Sequence, residues 1–545
     1  MKFKKFIAIA LSAAMVTSVA SMATGCKKEA IVNDGKTVNV RLYKAGYGDE
    51  YMTAWANAFS ELYAEEGYKI NVVEATTTIQ GVNVTNELTM KEKNGIDLYL
   101  AGQISNGSIA SVSNTEGFVV AEDLTDLMQL PAIGKDGKEE SVKIIDKLKA
   151  GTAEELLITS DDEKLKDYKN KWYAMPYMHS VSGLVVNVPL LTSYELEIPL
   201  TTGDLLNCFK VINEKNATVT GDNKVYPTVW AGDNAYRYLD CTYATWFAQY
   251  SGLETFNKWR TFNGTNSLEE ILAIYDDKGL ELSVELMNVL LDLKNAPSGT
   301  ISMAHGLAQH QLLSDKAVFM ANGNWLQNEM GANYKQKISD MKMIKMPIIS
   351  ELGVKIGLGA DVATAEPKLK EVIKLIDEGK TDEQIVQTAG VTADQAKAVR
   401  DARSIYYGGI GGAVGVINPF SPVKDVAKLF LRFIASDDAA VYFRMFAAGT
   451  TCFEPTDPTI YDQIEQTAFL KSCNEIMAQE GAVTIGVQPT SGSVKAGYNL
   501  AEWNTSTYSA VDWFKVMAQQ GGELTAAELI KTEKETIEKK IKEFK

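Results

Sequence analysis

The chain has 545 residues, with 54 Lys and Arg against 70 Asp and Glu, so its formal net charge is −16. This length allows two lobes or more, and 46% hydrophobic with 23% charged residues is an ordinary globular composition that excludes global disorder. The acidic excess argues against a nucleic-acid binder and against a polybasic membrane-surface protein, because both need a basic surface. It favours a neutral or cationic ligand, since an acidic surface repels anions at long range.

The first 25 residues have the pattern of a secretory signal peptide. Three lysines within residues 1–5 precede an almost wholly apolar run at 6–16, which is too short to span a bilayer as a stable anchor. Small residues follow and end in Ala23-Thr24-Gly25-Cys26, which resembles a bacterial lipobox with Ala in place of the usual Leu. We therefore expect lipidation at Cys26 and a polar tether at 26–36 that leads to the fold.

Strands alternate with helices directly after the tether. Period-2 and helical hydrophobic patterns predict strands at 37–43, 68–74 and 97–101, separated by helices at 51–65 and 82–93. This alternation indicates a parallel sheet covered by helices, that is, an α/β fold. Ligands of such sheets bind beyond the carboxyl ends of the strands, so the loops at 45–50 and 102–107 are candidate binding loops.

Later segments predict a second lobe and an insertion. Residues 173–187 contain a Pro and then a β-rich run, which is typical of a crossing between lobes, and 343–349 predicts a strand that leads back to the first lobe. Residues 366–403 carry two amphipathic helical patterns and are interpreted as an insertion. At the C-terminal end, Thr525 and Glu528 form a capping-box pattern that opens a charged amphipathic helix.

Motifs for catalysis or cofactor binding are missing from the sequence. The three histidines, His179, His305 and His310, form no HExxH pair, and no nucleophile-elbow or Walker-type sequence occurs. The Gly-rich run at 408–415 does not satisfy G-x-G-x-x-G and is interpreted as a turn. We predict no catalytic residue, cofactor or metal ligand, although 70 acidic residues leave a carboxylate pair for glycoside hydrolysis open.

Aromatic residues beside turn and polar residues point to carbohydrate binding. Sugars present apolar C–H faces and rims of hydroxyl groups, so a sugar site needs aromatic platforms with polar neighbours and no catalyst. Trp55, Trp246, Trp259 and Trp513 occupy apolar helical positions and are predicted to lie in cores. The predicted ligand-binding residues are Tyr47, Asp49, Gln103, His179, Trp230, Asp233, Asn324, Trp325 and Trp503.

The sequence resembles the family 1 extracellular solute-binding proteins, the carbohydrate receptors of ABC importers in Gram-positive bacteria. Besides Cys26, the segments that carry the resemblance are Val38–Phe59, Asp97–Tyr99, Asp123–Leu127, Trp172–Tyr177 leading to Val186-Asn187, Ala317–Trp325 and Val416–Ser436.

The resemblance implies a two-lobe, periplasmic-binding-protein-like α/β fold of type II with a hinge. We expect an N-terminal lobe at 37–182 and 350–455, which carries the insertion at 366–403, and a C-terminal lobe at 183–349 and 456–545. In relatives, the Trp of the Gly-x-Trp segment and a Trp on a late helix stack on sugar rings. The corresponding residues here are Trp325 and Trp503.

The implied function is capture of a neutral oligosaccharide by hinge closure and delivery to ABC transporter permease subunits. The protein would be a monomer held by lipid at the outer face of the cytoplasmic membrane. Three alternatives stay open: a surface enzyme that degrades polysaccharide, a structural lipoprotein, and a receptor for a peptide or polyamine.

Overall fold

A computed structural model describes residues 29–77, 81–102, 104–158, 165–233, 236–261, 267–409, 413–462, 464–486, 494–495, 498–499, 517–518 and 525–543. The predicted signal peptide and Cys26 lie outside these ranges. Within them, no helix is long and apolar enough to cross a membrane.

The strands fall into two large sheets and two small ones. They are β1 Thr37–Tyr43, β2 Lys69–Thr76, β3 Leu98–Ala101, β4 Pro131–Ile133, β5 Glu139–Lys143, β6 Met175–Pro176, β7 Met178–Asn187, β8 Tyr226–Val229, β9 Ala317–Gly323, β10 Met341–Ile344, β11 Ile405–Gly409, β12 Val414–Ile417, β13 Thr450–Thr451, β14 Val483–Ile485, β15 Val494–Lys495 and β16 Tyr498–Asn499.

Helices cover the faces of both large sheets. They span Glu50–Leu62, Gly81–Leu88, Asn106–Glu116, Thr125–Met128, Thr152–Leu156, Val188–Ser193, Thr202–Lys215, Asp240–Ser251, Leu253–Thr261, Leu268–Ile274, Lys278–Leu291, His305–Leu313, Leu326–Ile338, Glu351–Lys355, Val362–Asp377, Asp382–Ala389, Ala393–Ser404, Lys424–Ile434, Asp437–Ala447, Ala468–Met477 and Ala526–Glu543.

The first large sheet forms the core of the N-terminal lobe. Its strand order is β2-β1-β3-β12-β6, with β1 parallel to both β2 and β3 and with β12 antiparallel to β3. Trp55 of the helix Glu50–Leu62 is fully buried here and donates its indole N–H to the carbonyl of Ala439 at 2.9 Å. The parallel strands predicted from the sequence are therefore confirmed.

The second large sheet belongs to the other lobe and is organised around β7. Its main order is β14-β11-β7-β9-β8, and β10 and β13 also pair with β7. Every residue of β7 is buried, and the strand runs from the first apolar core at Met178 into the second at Leu184. Trp246 and Trp259 lie in the second core, as predicted, whereas Trp513 is outside the described residues.

The helical segment at 366–403 was assigned to the wrong lobe. Leu369, Ile385 and Val399 belong to the second core, and Arg403 donates to the carboxylate of Asp377 to join the outer two helices. The strand before this segment, β10, pairs with β7 and does not lead back to the first lobe. The chain returns to the first sheet only at β12, because β11 also pairs with β7. The remaining lobe boundaries stay a prediction.

The predicted tether is also partly bound to the fold. The backbone N–H of Glu29 donates to the carbonyl of Val73 at 2.9 Å, and the amide of Asn71 donates to the carbonyl of Ala30. Asn39 and Val32 exchange two further hydrogen bonds. Strands β1 and β2 therefore supply hydrogen-bond partners to part of the segment that was predicted to be a polar tether.

We predict that Leu369→Ala destabilises the second lobe. The side chain is fully buried, and deleting such a leucine costs about 2–5 kcal/mol through lost contacts and the cavity that remains. Urea unfolding followed by tryptophan fluorescence measures this effect. Lys374→Ala on the exposed face of the same helix is the control, and equal midpoints for the two variants would refute the placement.

Candidate functional site

The turn after β1 brings Tyr47 to the junction between the lobes. Residues Ala45–Tyr47 form a single 3₁₀ turn, and the ring of Tyr47 packs on Phe443 with the centroids 5.8 Å apart. The Tyr47 hydroxyl donates to Oδ1 of Asn324, which follows β9 of the second lobe, at 2.7 Å. Two predicted site residues that are 277 positions apart therefore meet directly.

Trp325 lies beside this pair at the start of the helix Leu326–Ile338. Its ring centroid is 5.4 Å from that of Tyr238 and 6.5 Å from that of Tyr47, which it meets edge to face. Although Trp325 belongs to the second lobe, its half-buried side chain packs against the apolar core of the first. The indole N–H is buried and faces the side chain of Tyr238.

Two glycines make this close approach possible. A Cβ on Gly46 would lie 2.7 Å from Oε1 of Glu329 and 2.8 Å from Cβ of Trp325, so any side chain there pushes the lobes apart. A Cβ on Gly323 would collide with the indole ring of Trp325 itself. The Gly-x-Trp sequence is therefore a steric requirement for folding the ring back over the end of β9.

Asn328 adds polar contacts between the lobes. It lies one helical turn after Asn324, and its amide donates to the carbonyls of Tyr47 at 2.6 Å and of Ala447 at 2.9 Å. Both acceptors belong to the first lobe. The junction thus combines aromatic contacts with directional hydrogen bonds.

A buried carboxyl group lies behind the aromatic residues. Burial raises the pKa of Glu329, and the amide of Gln309, which donates to its Oε2 at 2.5 Å, opposes this in part. Burial likewise raises the pKa of Tyr47 and Tyr238 well above the usual value for tyrosine. Burial therefore disfavours the charged form of all three groups.

His179 and Trp230 were predicted to contact the ligand. In the structure both side chains are buried among other protein groups. His179 is 1% exposed inside β7, and its Nε2 lies 2.8 Å from the hydroxyl of Tyr406. Trp230 is 2% exposed within the second apolar core. Periodicity could not separate these side chains from cleft residues, because both follow the turn and strand-end patterns of a site.

Asp49 and Asp233 do not join the cluster. Asp49 forms an ion pair with Nζ of Lys44 at 2.6 Å, and Asp233 is exposed. Gln103, Trp503 and Cys26 lie outside the described residues, so their predicted roles stay predictions.

Sequence analysis missed three residues of the junction: Tyr238, Asn328 and Glu329. Asn324 lies in the turn before the helix and Asn328 lies in its first turn, so the four-residue spacing of these two amides was a readable signal. Tyr238 had no such signal, because its position depends on the 3₁₀ turn Tyr236–Leu239 packing beside β9.

Other site types find no support among the described residues. They contain no group of three or more His, Cys, Asp or Glu that could hold a metal ion. Their four cysteines, Cys208, Cys241, Cys452 and Cys473, are free and buried. A cavity of about 600 Å³ between the helices Thr202–Lys215 and Val362–Asp377 is lined by none of the predicted site residues.

We predict that Gly46→Ala opens the junction. The added methyl group meets Trp325 and Glu329 below van der Waals distance, so the lobes separate and the radius of gyration from small-angle scattering increases. Gly331→Ala is the control, because a Cβ there meets nothing within 4 Å. An unchanged radius for Gly46→Ala would contradict the described approach.

We predict that His179 makes the fold sensitive to acid. Burial lowers the pKa of His179 to about 3 from 6.5, so between these values the unfolded chain binds a proton that the native chain does not. Stability therefore falls by up to roughly 1.4 kcal/mol per pH unit as the pH drops below 6.5. Urea unfolding between pH 7 and pH 4.5 should show a shallower loss for His179→Gln, and identical slopes would exclude this role.

Known structures share the fold of this chain. The raffinose complex of the solute-binding protein RafE, known from Streptococcus pneumoniae, superposes with a TM-score of 0.54 at 12% identity, covering 92% of this chain and 98% of that one. Maltose-bound MalE3 of T. maritima gives 0.56 at 14% identity over 92% and 99%. A probable secreted solute-binding lipoprotein from Streptomyces coelicolor gives 0.52 at 13% identity over 93% and 99%.

No protein-family model matches the sequence, and neither does any curated protein sequence. At these low identities the structural likeness establishes the fold. The chain therefore has the two-lobe α/β fold of the solute-binding proteins, as its sequence resemblance implied.

Proposed function

We propose that this protein is an extracellular receptor that binds an oligosaccharide between its lobes and delivers it to an ABC transporter. The observation that carries the proposal is the position of Trp325 at the lobe junction, with Tyr47 and Tyr238 around it. Aromatic faces and neutral polar groups are what a sugar needs, and two of the similar structures hold raffinose and maltose.

Hinge closure is the proposed mechanism. The Tyr47 turn and the start of the helix Leu326–Ile338 come from different lobes, so a ligand between them touches both. Such a ligand stabilises the closed arrangement by its differential affinity for that state. The Tyr47–Asn324 hydrogen bond and the Asn328 contacts also join the two lobes directly.

The location and partners follow from the N-terminal pattern. We propose that residues 1–25 are removed, that lipid on Cys26 holds the protein at the outer face of the cytoplasmic membrane, and that it acts as a monomer with permease subunits. The likeness to a secreted solute-binding lipoprotein supports this location.

The proposal describes a binding protein without catalytic activity. Trp230 and His179 contribute packing in this account, while Trp503 and Gln103 stay proposed ligand contacts. A polysaccharide-degrading enzyme on the same anchor would release product, so incubation with the sugar distinguishes the two functions.

Thermal unfolding against a panel of plant, starch and host oligosaccharides tests the proposal. A ligand at 100 times its Kd stabilises the native state by about 2.7 kcal/mol, which raises the midpoint measurably. A rise with one linkage class and no cleavage supports the receptor. If only peptides or polyamines raise the thermal midpoint, the protein is a receptor for those solutes. If no solute raises it, a structural lipoprotein is favoured.

We predict that Trp325→Ala weakens binding of the oligosaccharide found in this way by roughly tenfold or more. The lost stacking is worth about 0.5–1.5 kcal/mol beyond the area that the ring buries. Calorimetric titration measures the change, and Trp325→Phe is the control because it keeps an aromatic face. If Trp325→Ala binds as tightly as the unmodified protein, Trp325 is not the stacking platform.

A further inference from the structure

Arg444 differs from the other buried cations of the described residues. Lys147, which is 2% exposed, pairs with Glu140 and with Asp437 at 2.9 Å, and Arg403 pairs with Asp377 at 2.7 Å. Arg444 is 7% exposed and forms no ion pair with the described residues. An isolated buried charge is costly, so its presence without a carboxylate calls for a physical reason.

The neighbours of Arg444 leave its charge uncompensated. Its Nη2 donates to Oγ1 of Thr450 at 3.2 Å, and the guanidinium lies 4.3 Å from the ring centroid of Tyr461. Its Nε is buried and makes no hydrogen bond to a residue that the structure describes. Cys473 also faces it, but burial raises the pKa of that thiol and keeps it neutral. A hydroxyl, a ring and a thiol do not balance a full positive charge.

Arg444 lies where the two lobes meet. The preceding residue, Phe443, packs on Tyr47 of the candidate site. Thr450, which accepts from Arg444, belongs to β13 beside the crossing strand β7 and donates to Oδ1 of Asn474 in the second lobe at 3.3 Å. Asn474 in turn donates to Gln466 at 2.6 Å. The guanidinium is therefore bordered by polar groups from both sides of the hinge.

We propose that Arg444 receives a carboxylate of the ligand, so that the oligosaccharide contains an acidic sugar unit of the uronic acid type. This inference rests on the proposed receptor function and specifies its ligand. A guanidinium offers paired N–H donors that match the two carboxylate oxygens, and the pair strengthens when closure excludes water. Trp325 and Tyr47 would contact the neutral part of the same chain.

The acidic net charge of the protein does not oppose this ligand at short range. Repulsion from exposed carboxylates is screened over about 8–10 Å in physiological salt, whereas a buried guanidinium acts at contact distance. The composition predicted a neutral or cationic ligand from this long-range repulsion, which does not decide the local affinity of a buried guanidinium for a carboxylate.

Calorimetric titration with uronic acid trisaccharides tests the proposal. The probes are trigalacturonate, a glucuronate-containing trisaccharide, trimannuronate and the methyl esters of all three, which remove the charge and keep the sugar. We expect at least one acid to bind about 10 to 100 times more tightly than its ester, and Arg444→Gln to abolish this preference. Binding of neutral sugars alone, or an unchanged preference in Arg444→Gln, would overturn the proposal while the receptor function stands. No binding of any acidic or neutral sugar would overturn both.

The ligand-free thermal midpoint provides a second, independent readout. Arg444→Met keeps the apolar stem and removes the uncompensated charge, so we expect an equal or higher midpoint. Lys147→Met is the matched control, and its midpoint should fall because two carboxylates lose their cation. A fall for Arg444→Met as large as that of the control would assign Arg444 a structural role and contradict the ligand site.

Discussion

The contact between the turn at Tyr47 and the helix that begins after Trp325 determines the arrangement of the candidate site. It joins the carboxyl end of the first strand to the end of β9 through one hydroxyl–amide hydrogen bond and the two bonds of Asn328. No side chain fits at Gly46 or Gly323, because the side chains of Trp325 and Glu329 occupy the space beside Gly46 and the Trp325 ring occupies the space beside Gly323. The hinge strand β7 fixes both lobes relative to this contact, since it belongs to both apolar cores.

Sequence analysis predicted the local elements of the chain well. The strand at 37–43 matches β1 residue for residue, because its alternation is regular and a glycine turn follows. The capping box of Thr525 and Glu528 also forms as predicted, with the Glu528 carboxylate 2.9 Å from the Thr525 N–H. These features are local, so a short sequence window contains the physics that decides them.

The sequence could not predict which distant parts of the chain pack against each other. Hydrophobic periodicity places Leu369 and Val399 on buried helix faces but does not say which core covers them. Similarly, Trp230 and Trp325 both follow strands beside glycine and asparagine, yet only Trp325 reaches the other lobe. Arg444 carried no sequence signal, because only the folded chain shows that no carboxylate of the described residues pairs with it.

Fluorescence resonance energy transfer between one label on each lobe measures the distance between the lobes. It therefore tests most directly whether the lobes close on a sugar. In a chain lacking residues 1–26, the native thiols Cys208, Cys241, Cys452 and Cys473 are buried, so cysteines at exposed Glu116 and Lys374 can be labelled selectively. Titration with the oligosaccharide that raises the thermal midpoint should shift the population toward one short-distance state, saturating with the calorimetric Kd. An unchanged distance distribution at saturating sugar would contradict closure as the mechanism.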